Sequence, residues 1–98
     1  MISVNRFHSD EPGFQERVAE ALSLLATRPG FLRGSVGRAT DDPSAWVLVT
    51  EWRDVGSYRR GMSGYEVKVQ AWPLLAEAVP EPSAYEVLVR SAPASGQD

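Results

Sequence analysis

The side chains of this sequence exclude most familiar kinds of catalysis. There is no cysteine, so a thiolate nucleophile, a disulfide and a sulfur-ligated metal are all ruled out. A single histidine, His8, cannot supply a zinc triad or a two-histidine site within one chain. No Ser-His-Asp set can be assembled, and the carboxylates show no spacing of a glycosidase pair. The glycine pairs Gly34/Gly37 and Gly61/Gly64 are not phosphate loops, because neither follows a strand and opens a helix. What remains is aromatic and amide chemistry. Trp46, Trp52, Trp72, Tyr58 and Tyr65 could enclose a flat, apolar ligand by stacking and a few hydrogen bonds; ordinary core packing is the competing role for each. Asn5 shares a strand side with Phe7. A buried amide must find partners, either a ligand oxygen or the backbone of a nearby turn. His8 could shuttle a proton or simply face solvent.

The elements that must hold these residues can be read from periodicity. Met1 to His8 alternates and carries β-branched residues, which predicts a strand. Asp10 and Pro12 suit the start of a helix that carries Phe14, Val18, Ala21, Leu22 and Leu25 on one stripe. Arg28-Pro29-Gly30 stops it. Phe31 to Ala39 is a second strand whose glycines suggest an edge or a bulge. The Thr40 to Ser44 turn leads into the strongest strand, Trp46 to Trp52. Asp54 caps a helical stretch to Met62, and Ser63-Gly64 breaks or bends it. Helix resumes from Tyr65 to Ala78, where Pro73 either kinks it or starts a new one. Ser83 to Arg90 is the last strand.

This order is β-α-β-β-α-β: an α+β, ferredoxin-like fold, with an antiparallel sheet and both helical regions on one face. Residues 1–90 form the single domain of a 98-residue chain, and 91–98 a frayed tail. Both sheet faces are apolar. One packs on the helices, and the other needs a cover, for which a second copy of the chain is the simplest candidate. In that interface Arg6 could pair with Glu51. The net charge of −3, with no basic stripe, argues against nucleic acid as a partner. No apolar run approaches a membrane span and no signal peptide opens the chain, which places the protein in the cytoplasm.

Several segments in order carry a family likeness: Pro29-Gly30-Phe31-Leu32, Asp41-Asp42-Pro43, Val47-Leu48-Val49-Thr50-Glu51-Trp52 before an acidic helix start, and Pro73-Leu74-Leu75. Together they resemble the antibiotic biosynthesis monooxygenase family of the dimeric α/β-barrel superfamily, from about Ile2 to Val89. The resemblance implies a homodimer joined through the open sheet face, with a pocket between sheet and helices in each subunit. It implies a monooxygenase that uses no metal or flavin and acts on a small electron-rich aromatic, such as an anthrone or hydroquinone. Trp52 and Tyr58 match aromatic positions of the polyketide-oxidising members. Trp52 would stack on the substrate or assist electron transfer, while Tyr58 and Asn5 would orient an oxyanion or peroxide. Phe7, Trp46, Leu48, Tyr65 and Trp72 would line the pocket.

The match has gaps. The asparagine those members carry four residues before the tryptophan is Leu48 here, and Trp72 lies near the place of their arginine. Asn5 matches a first-strand asparagine of haem-degrading members, but Gln70 falls near the place of their histidine ligand, which argues against haem degradation. Two other readings stay open: a module that binds a small apolar metabolite, and a non-oxidative isomerase or decarboxylase.

Overall fold

A computed structural model describes residues 1–94. The elements are β1 (Ile2–His8), α1 (Phe14–Leu25), β2 (Phe31–Ala39), β3 (Asp42–Trp52), α2 (Val55–Met62), α3 (Tyr65–Gln70), α4 (Trp72–Leu75) and β4 (Ala84–Tyr85). They form a four-stranded sheet in the order β2-β3-β1-β4, antiparallel throughout. This is the ferredoxin-like α+β arrangement that the sequence predicts.

Strand alternation sets the two faces of the sheet. On β1, Ser3 and Phe7 are buried and Asn5 half-buried, while Arg6 and His8 are exposed. On β3, Leu48, Thr50 and Trp52 are buried. The inward residues meet the apolar stripe of α1, formed by Phe14, Val18, Ala21 and Leu25, together with Val67 and Leu74 from the later helices. Strand β2 is an edge strand, with register shifts between Phe31 and Arg33 and between Arg38 and Ala39. The outward face carries Val4, Val47 and Val49, all half-buried.

Local chemistry explains the differences from the sequence reading. Helix α1 begins at Phe14, and its N-cap is Gly13 at φ +84°, with no side-chain cap. Asp10 does not cap it; instead the Ser9 hydroxyl accepts from the Glu11 amide at 3.1 Å, which shapes the turn before the helix. Asp54 does cap α2, accepting from the Ser57 amide at 2.7 Å. The break at Ser63-Gly64 is also present, since Ser63 ends α2 and Gly64 opens α3. Pro73 starts a separate short helix, α4, sitting in its first turn, where a missing amide proton costs nothing.

The last strand is much shorter than the expected Ser83 to Arg90. Pairing of Ile2 with Tyr85 and Ser3 with Ala84 carries the chain past the end of β1, so Glu86 onward has no partner strand. Leu88 and Val89 are consequently more than four-fifths exposed. Of the expected tail, residues 91–94 carry no regular structure and 95–98 lie outside the described residues. Within one chain Arg6 takes a partner other than Glu51. It forms a bidentate pair with Glu81 at 2.6 and 2.7 Å, because the loop before β4 runs beside it. Glu51 instead takes Arg33 at 2.9 Å and Arg90 at 3.3 Å, and these partners, Arg33 foremost, hold its carboxyl below the usual carboxylate range.

Candidate functional site

A cavity of about 230 Å³ lies between the sheet and the helices. Its floor is Ser3 and Asn5 from β1, with Leu48 and Thr50 from β3. Leu25 of α1, Tyr58 and Met62 of α2, and Leu75 of α4 form the roof, and Ser83 closes one side. Period-two alternation brings the floor together. Ser3 pairs directly with Thr50 across the strands, and Asn5 with Leu48, so these four side chains emerge on the helix side.

The floor is polar where a purely structural core would be apolar. Ser3 and Thr50 are only 4% and 3% exposed, and a buried hydroxyl left without a partner is costly. Ser3 donates to the Asn5 carbonyl Oδ1 at 3.3 Å. The Trp52 indole donates to Thr50 Oγ1 at 2.9 Å. Tyr58 is part of the roof, and its hydroxyl hydrogen-bonds no described residue. Tyr58 is the only ionisable side chain on the lining. Among the described residues the lining therefore combines neutral hydrogen-bonding groups with apolar side chains, and includes no carboxylate or imidazole to act as a base.

The sequence candidates divide into four groups. Asn5, Leu48 and Tyr58 line the cavity. Trp52 stands behind the lining at 1% exposure. Its ring meets Phe31 edge-on at 5.3 Å and Tyr58 at 5.9 Å, and α2 closes over it at Gly61, where a Cβ would fall 2.7 Å from the indole. Phe7 and Trp46 form a separate cluster with Phe14, at centroid distances of 5.6 Å. There the Trp46 indole donates to the Ser9 carbonyl and Arg38 lies over its ring.

Tyr65 and Trp72 stand outside, 81% and 45% exposed. Trp72 donates to the Met62 carbonyl at 2.9 Å and carries Lys68 over its ring. The expected single aromatic enclosure is thus absent, because the break at Gly64 and the restart at Pro73 turn these two residues away from the sheet. His8 points to the opposite face, beside a shallow groove that it shares with Arg6, Gly37 and Val47. No group of three His, Cys, Asp or Glu side chains is placed to hold a metal among the described residues.

Sequence reasoning missed Ser3 and Thr50 on the floor, and Leu25, Met62, Leu75 and Ser83 around them. The signal for the first two was available, since both are polar residues at inward positions of β1 and β3 by simple alternation. Met62 shares a side of its helix with Tyr58 in the sequence, and the cavity takes both.

The four-stranded antiparallel sheet with its helices on one face defines an α+β domain of the ferredoxin-like kind, with a cavity between the two layers. Residues 4–66 match the family model described as antibiotic biosynthesis monooxygenase, and the chain belongs to that family. A curated relative, deoxynogalonate monooxygenase of Streptomyces nogalater, is 31% identical over 62 residues, which are 61% of this chain and 52% of the relative. The chain thus matches about half the length of that protein. Among solved structures, SnoaB from Streptomyces nogalater, described as a cofactor-independent oxygenase, superposes with a TM-score of 0.71 at 26% identity, covering 91% of this chain and 96% of that one. A conserved protein from Methanosarcina mazei gives a TM-score of 0.62 at 21% identity over 85% of this chain and 84% of its own, a likeness of fold alone. No helix is long and apolar enough to cross a membrane among the described residues.

Proposed function

We propose that this protein is a cofactor-independent monooxygenase acting on a small electron-rich aromatic of the anthrone or hydroquinone type. The observation that carries the reading is the cavity itself: a slot of mixed polar and apolar lining, with Asn5 and Thr50 on its floor and Tyr58 on its roof. Its volume of about 230 Å³ is below the roughly 300–1,000 Å³ of drug-sized sites, which favours a compact ligand of two or three fused rings. Kinship with a deoxynogalonate monooxygenase and with a cofactor-independent oxygenase supports the same chemistry.

In the proposed reaction the substrate enters as, or becomes, an enolate or phenolate, with its proton released to water. Donors around the oxygen stabilise the anion in a site largely closed to solvent. One electron passes from the anion to dioxygen, and the radical pair combines, forming a carbon–oxygen bond. The hydroperoxide then loses water: the oxygen–oxygen bond breaks, the carbon loses its remaining proton, and a carbonyl forms. Both electron pairs come from the substrate, so no external reductant is consumed. Asn5 and Tyr58 orient the oxyanion and the peroxide. Phe7 and Trp46 stiffen the neighbouring end of the sheet, outside the cavity.

The working unit in this reading is a homodimer in the cytoplasm. The half-buried outer valines of the sheet and the exposed Leu88 and Val89 favour a second copy as their cover. Light scattering on the wild type and on Leu88→Asp tests this: a dimer weakened by the substitution is expected, and a wild-type monomer would refute it. The oxygenase reading is tested by oxygen uptake with metal-stripped, flavin-free protein. Product formed without oxygen uptake would point instead to an isomerase or decarboxylase.

A further inference from the structure

Two hydrogen-bond relays end at the floor of the cavity, one beginning behind the lining at Trp52 and the other on the floor itself at Ser3. In the first, the Trp52 indole N–H donates to Thr50 Oγ1 at 2.9 Å. A hydroxyl has one proton to donate and two lone pairs to accept with. Once Thr50 has accepted from Trp52, its own proton is directed elsewhere, and no described residue takes it. Thr50 lines the cavity and is 3% exposed, so the open space is the cavity. In the second relay, the Ser3 hydroxyl donates to Asn5 Oδ1 at 3.3 Å. With the carbonyl end of the amide so engaged, the Asn5 NH₂ group is the end that bonds no described residue, and Asn5 lines the cavity. Ser3 is itself 4% exposed.

The register places both outputs on one patch. Ser3 faces Thr50 and Asn5 faces Leu48, so Asn5 and Thr50 are diagonal neighbours on adjacent antiparallel strands. Such neighbours lie roughly 7–8 Å apart at the backbone, which lets two inward side chains converge on one oxygen. Hydrogen bonds in series also polarise one another in a medium of low dielectric, so each relay strengthens its final donor.

We propose that Thr50 and Asn5 together form an anion hole for a phenolate or enolate oxygen, with Trp52 acting through Thr50 and Ser3 acting through Asn5 as positioning residues. Thr50 thereby touches the ligand, whereas Trp52, 1% exposed and behind the lining, does not stack on it. This deepens the oxygenase reading and rests on it for the identity of the substrate, but the anion hole can be measured without turnover.

The test is equilibrium binding of two single-ring probes to the full chain, each small enough to enter the slot. The phenolate of para-nitrophenol is coloured, which reports its ionisation on binding; nitrobenzene has the same shape without the oxygen. Wild-type protein is expected to bind the phenolate at least about tenfold more tightly than nitrobenzene, and to draw para-nitrophenol toward its coloured form. Thr50→Val keeps the volume and removes the hydroxyl, and should cut phenolate affinity about 10- to 100-fold with nitrobenzene affinity unchanged. Thr50→Ser should restore most of the preference. Ser3→Ala and Trp52→Phe should each lower the phenolate preference a few-fold, as expected for residues acting through another. Should Thr50→Val not fold, Ser3→Ala carries the test.

A wild type that binds neither probe, or prefers nitrobenzene, overturns the proposal. So does a Thr50→Val or Ser3→Ala protein that keeps the wild-type ratio, or loses both probes equally. A phenolate preference in protein that takes up no oxygen sustains the anion hole and defeats the oxygenase reading, so the two failures are distinguishable.

Discussion

Two aromatic clusters sit on the helix side of the same sheet and behave differently. Near one end, Phe7, Phe14 and Trp46 pack ring against ring, with Arg17 over Phe14 and Arg38 over Trp46, and the Trp46 indole proton is held by a backbone carbonyl. Toward the other end, Phe31, Trp52 and Tyr58 pack with similar edge-on geometry, but the indole proton goes to a side-chain hydroxyl at the cavity and the Tyr58 hydroxyl is unclaimed. Ring content does not separate a core from a site. The destination of each polar atom does, because a donor whose partner is backbone is finished, while one that points into open space still has a bond to make.

Substitutions can break this comparison, starting with the first cluster. Phe14→Ala should cost about 3–5 kcal/mol of stability, read by urea unfolding, while turnover per folded molecule stays near wild type. A selective loss of turnover would show that this cluster belongs to the site. At the second cluster, Gly61→Ala puts a methyl 2.7 Å from the Trp52 ring. It should cost about 1–3 kcal/mol and lower activity as well, since the indole must shift from Thr50. Tyr58→Phe sharpens the contrast: stability should change by less than about 1 kcal/mol, because the lost hydroxyl bonds nothing, while kcat falls about 10- to 100-fold.

Smaller effects are expected at the periphery. Arg38→Ala removes a cation over Trp46 and should cost about 0.5–1 kcal/mol with activity unchanged, as thermal unfolding and initial rates would show. The smallest effect is acid sensitivity. Asp54 is held below its usual range first by the Ser57 amide, and Glu51 first by Arg33. A carboxyl depressed in the folded state stabilises above its unfolded pKa and loses that contribution as pH falls through the folded one. Stability should therefore decline below about pH 4. Asp54→Asn should flatten that decline in a pH series of melting temperatures, and an unchanged slope would count against the capping role.

Much of this fold is legible in the sequence because period-two alternation and turn chemistry act locally. Strands β1 and β2, the break at Gly64 and the Asp54 cap all follow from neighbouring residues, and so does the inward direction of Asn5. Less legible were features set by distant partners. The end of β4 depends on where β1 stops, the partner of Arg6 depends on a loop 75 residues away, and the positions of Tyr65 and Trp72 depend on two helix restarts. Site residues were hidden for another reason. Attention to large aromatics passed over Ser3 and Thr50, small polar residues whose meaning lies in facing inward.

The central claim is oxygen chemistry without a cofactor, and oxygen uptake by metal-stripped, flavin-free protein tests it most directly. With anthrones and hydroquinones measured against an enzyme-free blank, the account predicts uptake above the blank, one dioxygen consumed per oxygenated product, and a loss of about tenfold or more in Tyr58→Phe. Uptake at the blank rate across the panel, or uptake restored only by added flavin or metal, would contradict it.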